Sequence, residues 1–440
     1  MAQFYRPQRG RSKPAEQPIK RNASVSGLDH QGRGIVRESK GVRFIAGALT
    51  DELIDFQPQG KWQGKLIQVK QPAPARVTPD CPYYEQCGGC DLQHLALSRQ
   101  RQHKQQVVSE LFAKFAGHDI DCWQAPLTGA DWRYRRRLRL ACHWDSKRRN
   151  FKLGLRQANS KAIVEISDCL ISDTALTRLL QPLRKFLPQL DLIAQLGHVE
   201  LMTTNSCCLL LRLKNPVSAK DHRQLLEFSQ NYGVDVWLHC GETAPQPLLA
   251  GQELPRYASW QTEVSFQPGD FLQAHGELSP LMVEQALAWL APGPGDHVLE
   301  LYAGSGNFSL PIARSGARVT AIEGVPSMVE RLTANASRAN LSIAAQHADL
   351  EQPWQHYDWG TIEFNKVFLD PARAGAAHAI SEVAQRQPER VVYVSCAADT
   401  LARDARHLFA AGYRLKRAQI VDMFPQTHHI ECLTWFERET

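Results

Sequence analysis

The chain has no run of 18 apolar residues, the length a helix needs to cross a bilayer. Its opening stretch, MAQFYRPQRGRSKPAEQPIKRNA, lacks the apolar segment of a secretory signal. These two absences point to a cytoplasmic protein. No internal repeat is present, which argues against solenoids and propellers. The eleven cysteines are odd in number and spread through 440 residues without an export signal. Such a chain does not need a disulfide framework, so its thiols are available as metal ligands, a nucleophile or core packing.

Charge is unevenly placed. Residues 1–150 carry 26 Lys and Arg against 14 Asp and Glu, a net +12, whereas residues 151–440 carry 25 against 31, a net −6. A basic front end suits a polyanion such as RNA. The run RYRRRLRL (133–140) fits either a groove for nucleic acid or a strand whose arginines face water.

Several modules are expected at this length. Residues 1–22 read as a disordered basic arm. Residues 23–72 alternate short β-rich runs with Gly and Asp turns, which predicts a small barrel of about five strands, and QPAPARVTPD reads as a linker. Residues 73–261 form a mixed central domain, with helical spacing over 97–117 and a Leu-rich helix near 174–187. From residue 262 to 440 apolar strands, glycine turns and helices alternate. That pattern predicts an α/β, Rossmann-like doubly wound sheet with its ligands at the carboxyl ends of the strands.

Four such ends carry chemistry. LELYAGSGNF (299–308) places Gly304 and Gly306 directly after a strand, where backbone amides can approach a ligand. Glu323 ends the next strand, 23 residues after Glu300, and an acidic side chain there accepts ribose hydroxyls. A dinucleotide dehydrogenase shares this geometry, but the turn departs from G-x-G-x-x-G, and S-adenosylmethionine (SAM), which has a ribose and no phosphate, fits better. Asp370 in FLDPARAG and Cys396 in VYVSCAADT end two further strands. Near the basic end, CPYYEQCGGC (81–90) brings Cys81, Cys87 and Cys90 within reach of one centre, and soft thiolates of this kind suit zinc or iron–sulfur.

The set CPYYEQCGGC, FQPGDFLQ, GSGNF, DPARAG, YVSC and DMFPQTHHIE resembles the RNA (uracil-C5)-methyltransferases, in particular the bacterial enzymes of 23S rRNA, over nearly the whole chain. The resemblance implies a TRAM RNA-binding barrel at 23–72 and a SAM-dependent methyltransferase domain at 262–440. It also implies a [4Fe-4S] cluster on Cys81, Cys87, Cys90 and the distant Cys169. Gln273, Tyr302, Asn307, Glu323, Asp349 and Asp370 match the SAM contacts, Cys396 the catalytic nucleophile and Glu431 the general base. The implied product is 5-methyluridine in 23S rRNA, at uridine 1939, made by a monomer with no membrane or obligate protein partner. Another rRNA site, a tRNA, or a weakly active or non-catalytic iron–sulfur RNA-binding protein are the alternatives. Two departures bear on activity: Ala397 and Ala398 replace the usual Asn-Pro after the cysteine, and His275 replaces an Asn. An effective nucleophile would have its thiol pKa lowered by roughly one or two units from about 8.5.

Overall fold

Five short strands near the N-terminus close on themselves. In this computed structural model, which describes residues 17–439, β1 (Lys20–Leu28), β2 (Gly34–Glu38), β3 (Gly41–Ile45), β4 (Leu53–Gln59) and β5 (Gln63–Gln71) form a barrel in the order β1-β2-β3-β5-β4. Alternation turns Val25, Val36, Ile45, Ile54 and Phe56 into its core. Gly64 is required at the closure, because a Cβ there would lie 2.4 Å from Ile45 Cδ1. The expected disordered arm falls largely on residues 1–16, outside the described residues; Lys20, Arg21 and Asn22 belong to β1.

QPAPARVTPD is no free linker. Ala73 is buried with Leu49 and Leu95, and the Arg76 guanidinium holds Glu52 and donates to Gly47 O at 2.6 Å. Burial alone would raise the Glu52 carboxyl, but Arg76 and the amides of Leu49 and Ala73 keep it below its ordinary value. The barrel with this segment, to Thr78, and His94–Ala96 make one compact unit; Pro79–Gln93 and the chain from Leu97 onward make the second.

Within the second unit, β6 (Arg137–Asp145), β7 (Asn150–Arg156), β8 (Ile163–Val164), β9 (Leu196–Thr203), β10 (Cys207–Leu213), β11 (Asp235–Cys240) and β12 (Gln246–Pro247) form a seven-stranded sheet. Leu138, Leu140, Leu209 and Leu211 point to a core shared with helices α2 (Thr174–Thr177), α3 (Leu180–Phe186) and α4 (Ala219–Tyr232), which follow α1 (Leu97–Leu111) in the chain. Cys207 and Cys208 are buried in the apolar run of β10. A ribbon of β13 (Arg256–Ser259) and β14 (Thr262–Ser265) comes next.

The last sheet follows the doubly wound pattern. β15 (His297–Leu301), β16 (Arg318–Glu323), β17 (Ala344–His347), β18 (Lys366–Leu369) and β19 (Arg390–Ser395) are parallel, with β20 (Tyr413–Val421) and β21 (Glu431–Arg438) added antiparallel. The order β17-β16-β15-β18-β19-β21-β20 reverses direction between β15 and β18, the switch point where such sheets bind ligands. Helices α5 (Leu278–Leu290), α6 (Ser309–Arg314), α7 (Pro326–Arg338), α8 (Ala377–Arg386) and α9 (Ala398–Ala410) lie between the strands. Val107, Val108 and Phe112, from α1 and the residue after it, are buried in this sheet's core with Leu401 and Leu408. The helix expected in the central domain therefore packs on the C-terminal sheet. Among the described residues, no helix is long and apolar enough to cross a membrane.

Candidate active site

The glycine turn after β15 has the backbone that the sequence calls for. Tyr302, Gly304 and Gly306 have φ of 62°, 59° and 102°, the left-handed region in which glycine is unstrained. Glu323, at the end of β16, accepts from Gly304 N at 2.8 Å and from Val325 N at 3.0 Å. Its carboxylate thus sits at the mouth of the turn. The Tyr302 hydroxyl and Asn307 Oδ1 are buried there with no hydrogen-bond partner among the described residues. Buried polar atoms are normally paired, so the turn leaves a hydroxyl and an amide oxygen free to pair with a polar ligand. Gln273 is buried, and its backbone oxygen accepts from Arg136 Nε at 2.8 Å. Asp349 is exposed after β17, with Oδ1 accepting from Glu351 N at 3.0 Å.

Carboxyls crowd the strand ends. Glu300, 1% exposed, is pushed up to about 8 by burial, with Asp370 and Glu323 adding to the rise and Ser309 opposing it. Asp370, directly after β18, is raised to about 7 by burial. The loop that follows is pinned by Asp404, whose Oδ2 accepts from Ala376 N and from the Tyr393 hydroxyl, both at 2.8 Å.

Cys396 and Glu431 meet at the same edge. The β19–β21 register ends with Ser395 opposite Cys432, so the next residue on one strand and the preceding residue on the other are brought together. Glu431 is 3% exposed and raised well above the usual carboxylate range by burial and by Asp370, with Arg373 opposing. Burial, Glu431 and Asp370 push the half-buried Cys396 thiol up to about 11, against a lowering by Arg373. The expected lowering of this thiol is not met here: burial is the largest cause of its rise, the two carboxyls add to it, and Arg373 and a backbone hydrogen bond do not offset them.

Cys81, Cys87 and Cys90 of the motif and the distant Cys169 line one cavity of about 310 Å³, together with Tyr83, Gln93, Arg135, Arg373 and His429. All are free thiols. Burial raises Cys81, Cys87 and Cys90, and the neighbouring thiols raise each further. Gly88 passes so close to Ala158 that a Cβ would lie 3.2 Å from its backbone. Among the described residues, however, no group of three or more His, Cys, Asp or Glu side chains stands as a ready metal site.

The sequence pattern of the tRNA (Uracil-5-)-methyltransferase family matches residues 96–439. This chain belongs to that family. It is 41% identical over 455 aligned residues, covering 99% of both chains, to the 23S rRNA (uracil(1939)-C(5))-methyltransferase RlmD of Shewanella baltica (strain OS195). The protein of the same name from Shewanella sp. (strain ANA-3) is 40% identical over the same span. Among solved structures, the Pyrococcus abyssi tRNA (uracil-54, C5)-methyltransferase in complex with S-adenosyl-L-homocysteine is similar with a TM-score of 0.72 at 19% identity. That likeness, over 94% of this chain and 100% of the other, concerns the fold.

Membership gives the two departures a structural meaning. Ala397 has φ −140° and ψ 96°, an N-cap conformation, and α9 starts at Ala398 without a side-chain cap. Ser395 Oγ takes the Ala397 amide at 3.2 Å, and the Thr400 hydroxyl donates to Ala397 O at 2.9 Å. Neighbouring hydroxyls thus hold the turn. His275 is fully buried, accepting from Leu278 N at Nδ1 (3.1 Å) while Nε2 lies 3.0 Å from Ala130 O. An Asn in its place could cap the same amide.

Sequence reasoning missed Arg373, although it lies three residues beyond Asp370 in the DPARAG motif and is the cation that opposes the rise of both Cys396 and Glu431. Of the two readings left open for RYRRRLRL, Arg139, with its side chain 65% exposed, fits the strand that faces water. Arg137 pairs with Glu200 at 2.7 Å, Arg136 is buried and Arg133 pairs with Asp168 at 2.6 Å, so these three fasten the protein internally.

Proposed function

We propose that this enzyme uses SAM to methylate C5 of a uridine in 23S rRNA, uridine 1939, with Cys396 as nucleophile and Glu431 as base. The observation that carries the reading is the β19–β21 register, which brings a thiol and a buried carboxyl to one edge of a sheet at its ligand-binding end.

Uracil C5 is a poor nucleophile until a thiolate adds to C6. Cys396 loses its proton to solvent as its sulfur bonds C6, and the C5=C6 electron pair becomes an enolate. SAM supplies the methyl group to C5 and leaves as S-adenosylhomocysteine. Glu431 then takes the C5 proton. The C–H pair re-forms C5=C6, the C6–S pair returns to Cys396, and Glu431 releases its proton to solvent. Glu431 must be ionised when it takes the C5 proton, and the Arg373 cation, which opposes the rise of its carboxyl, favours that form. Glu323, Tyr302, Asn307, Gln273, Asp349 and Asp370 are proposed to hold SAM, the buried, unpaired oxygens of Tyr302 and Asn307 being the supporting observation.

Cys81, Cys87, Cys90 and Cys169 would hold the [4Fe-4S] cluster; their common cavity and their softness as donors fit such a group. There it would tie the CPYYEQCGGC loop to the loop bearing Cys169. RNA would be held by the basic barrel, where Trp62 is 48% exposed and Lys61 lies over its ring at 4.6 Å. Exposed aromatics beside cations are the usual platform for unstacked bases.

The test is transfer of labelled methyl from SAM to a 23S rRNA transcript. Label is expected in the wild-type transcript and absent when uridine 1939 is replaced by cytidine. Equal labelling of both would move the target elsewhere, and labelling of tRNA alone would replace the substrate.

A further inference from the structure

The nine-residue connection Asp422–Ile430 delivers Glu431 to the site, and its root is locked by polar groups that sequence distance hides. Lys104, on α1, and Asp422, just past β20, are both 1% exposed. Lys104 Nζ reaches Asp422 Oδ1 at 2.7 Å and the Phe424 carbonyl at 2.9 Å. Arg101, one helical turn earlier, donates to Asp422 Oδ2 at 2.8 Å and to Asp131 at 2.6 Å. Gln100 completes the lock: its Nε2 donates to Gln426 Oε1 at 3.1 Å and its Oε1 accepts from Gln426 N at 2.9 Å. Tyr134 donates to Pro425 O at 3.0 Å.

A buried ion pair is a poor way to gain stability, since well-packed apolar residues of the same volume often do as well or better. What it does give is a fixed geometry. Asp422 directly follows Val421, and Val421 is the β20 partner of Glu431. The pair therefore sits at the mouth of the β20–β21 hairpin, one residue from the strand position that sets where the Glu431 carboxyl points.

We propose that the Lys104–Asp422 pair, braced by Arg101, positions Glu431 for removal of the C5 proton. This rests on the assignment of Glu431 as base. Proton transfer requires hydrogen-bond reach, and a displacement of about 1 Å can cost on the order of 10²-fold in rate. Loosening the lock is expected to slow the step after methyl transfer while leaving SAM binding unchanged.

The test is Lys104→Met combined with Asp422→Leu, which removes both charges and keeps the space filled. Full-length protein, SAM and an rRNA transcript are mixed and resolved on a denaturing gel beside Glu431→Gln. The expected result is a folded protein with kcat lowered about 10- to 100-fold, unchanged KM for SAM, and a protein–RNA adduct that accumulates before release. Parental kcat without adduct, while Glu431→Gln does trap RNA, would overturn the positioning role. No adduct with Glu431→Gln would instead overturn the base assignment on which it rests. Should the double variant fail to fold, Arg101→Gln, at a partly exposed site, carries the same comparison with a smaller expected effect, and wild-type turnover there would also overturn the proposal.

Discussion

Cys396 and Glu431 stand one step beyond Ser395 and Cys432, the last paired residues of the antiparallel β19–β21 ladder. A thiol and a carboxyl supplied by residues far apart in sequence are thus set by a single strand register, and a slip of one residue would turn Glu431 to the opposite face.

The first consequence concerns the thiol. With Cys396 pushed up to about 11 by burial, Glu431 and Asp370, its alkylation by iodoacetamide in the ligand-free enzyme is expected to be slow at pH 7 and to climb steadily toward pH 11. Glu431→Gln removes one of the groups that raise it and should shift the profile to lower pH. A Cys396 that alkylates fully at pH 7, as a low-pKa thiolate would, contradicts this electrostatic picture.

The turn after Cys396 is expected to accept the residues it lacks. Ala397 already has extended backbone, which suits a residue preceding proline, and Ala398 occupies the first helical position, where proline loses no hydrogen bond. Ala397→Asn with Ala398→Pro should stabilise the fold by about 1 kcal/mol through an added cap and a stiffer unfolded chain. A lower melting temperature would show that the hydroxyl-held turn has a different geometry.

Much of this site could be read directly from the sequence, because glycine turns after apolar strands announce a doubly wound sheet, and Glu323, Asp370 and Cys396 fall at its strand ends. Other features could not be read this way. Lys104 and Asp422 are separated by 318 positions, and nothing local marks either as buried. RYRRRLRL fits a nucleic-acid groove or a water-facing strand, yet Arg136 and Arg137 turn inward because carbonyls and Glu200 wait there. The thiol's rise depends on which carboxyls the fold gathers around it, a property of packing alone. The end of the basic arm was misplaced by three residues, since Lys20, Arg21 and Asn22 are polar and the barrel uses them as an exposed strand.

Glu200 gives a pH dependence with a definite sign. Burial opposes its charge, but His198 and Arg137 draw its carboxyl down to about 2 from an ordinary value of 4.5. Its folded-state pKa is depressed, so its contribution is complete above about pH 4.5 and fades as pH falls through about 2. At roughly 1.4 kcal/mol per unit this is about 3 kcal/mol. Glu200→Gln should lower stability at pH 7 and flatten the acid side of the stability curve between pH 4.5 and 2. Parallel curves for the two proteins would assign the acid sensitivity elsewhere.

Iron content tests the four thiols. Protein prepared without oxygen is expected to be brown and to carry about four irons per chain, and Cys169→Ala should lose most of them. One tightly bound zinc and no colour would reassign the cavity.

The most direct measurement of the covalent cycle is a denaturing gel of enzyme, SAM and labelled 23S rRNA transcript for wild type, Cys396→Ala and Glu431→Gln. Without Cys396 no enolate forms, so neither methylation nor adduct is expected. With Glu431→Gln, methyl transfer proceeds once and release stalls, so a slow-migrating, denaturant-stable protein–RNA species should accumulate. Normal turnover by Glu431→Gln, or an adduct that persists in Cys396→Ala, would contradict the assignment of the two residues.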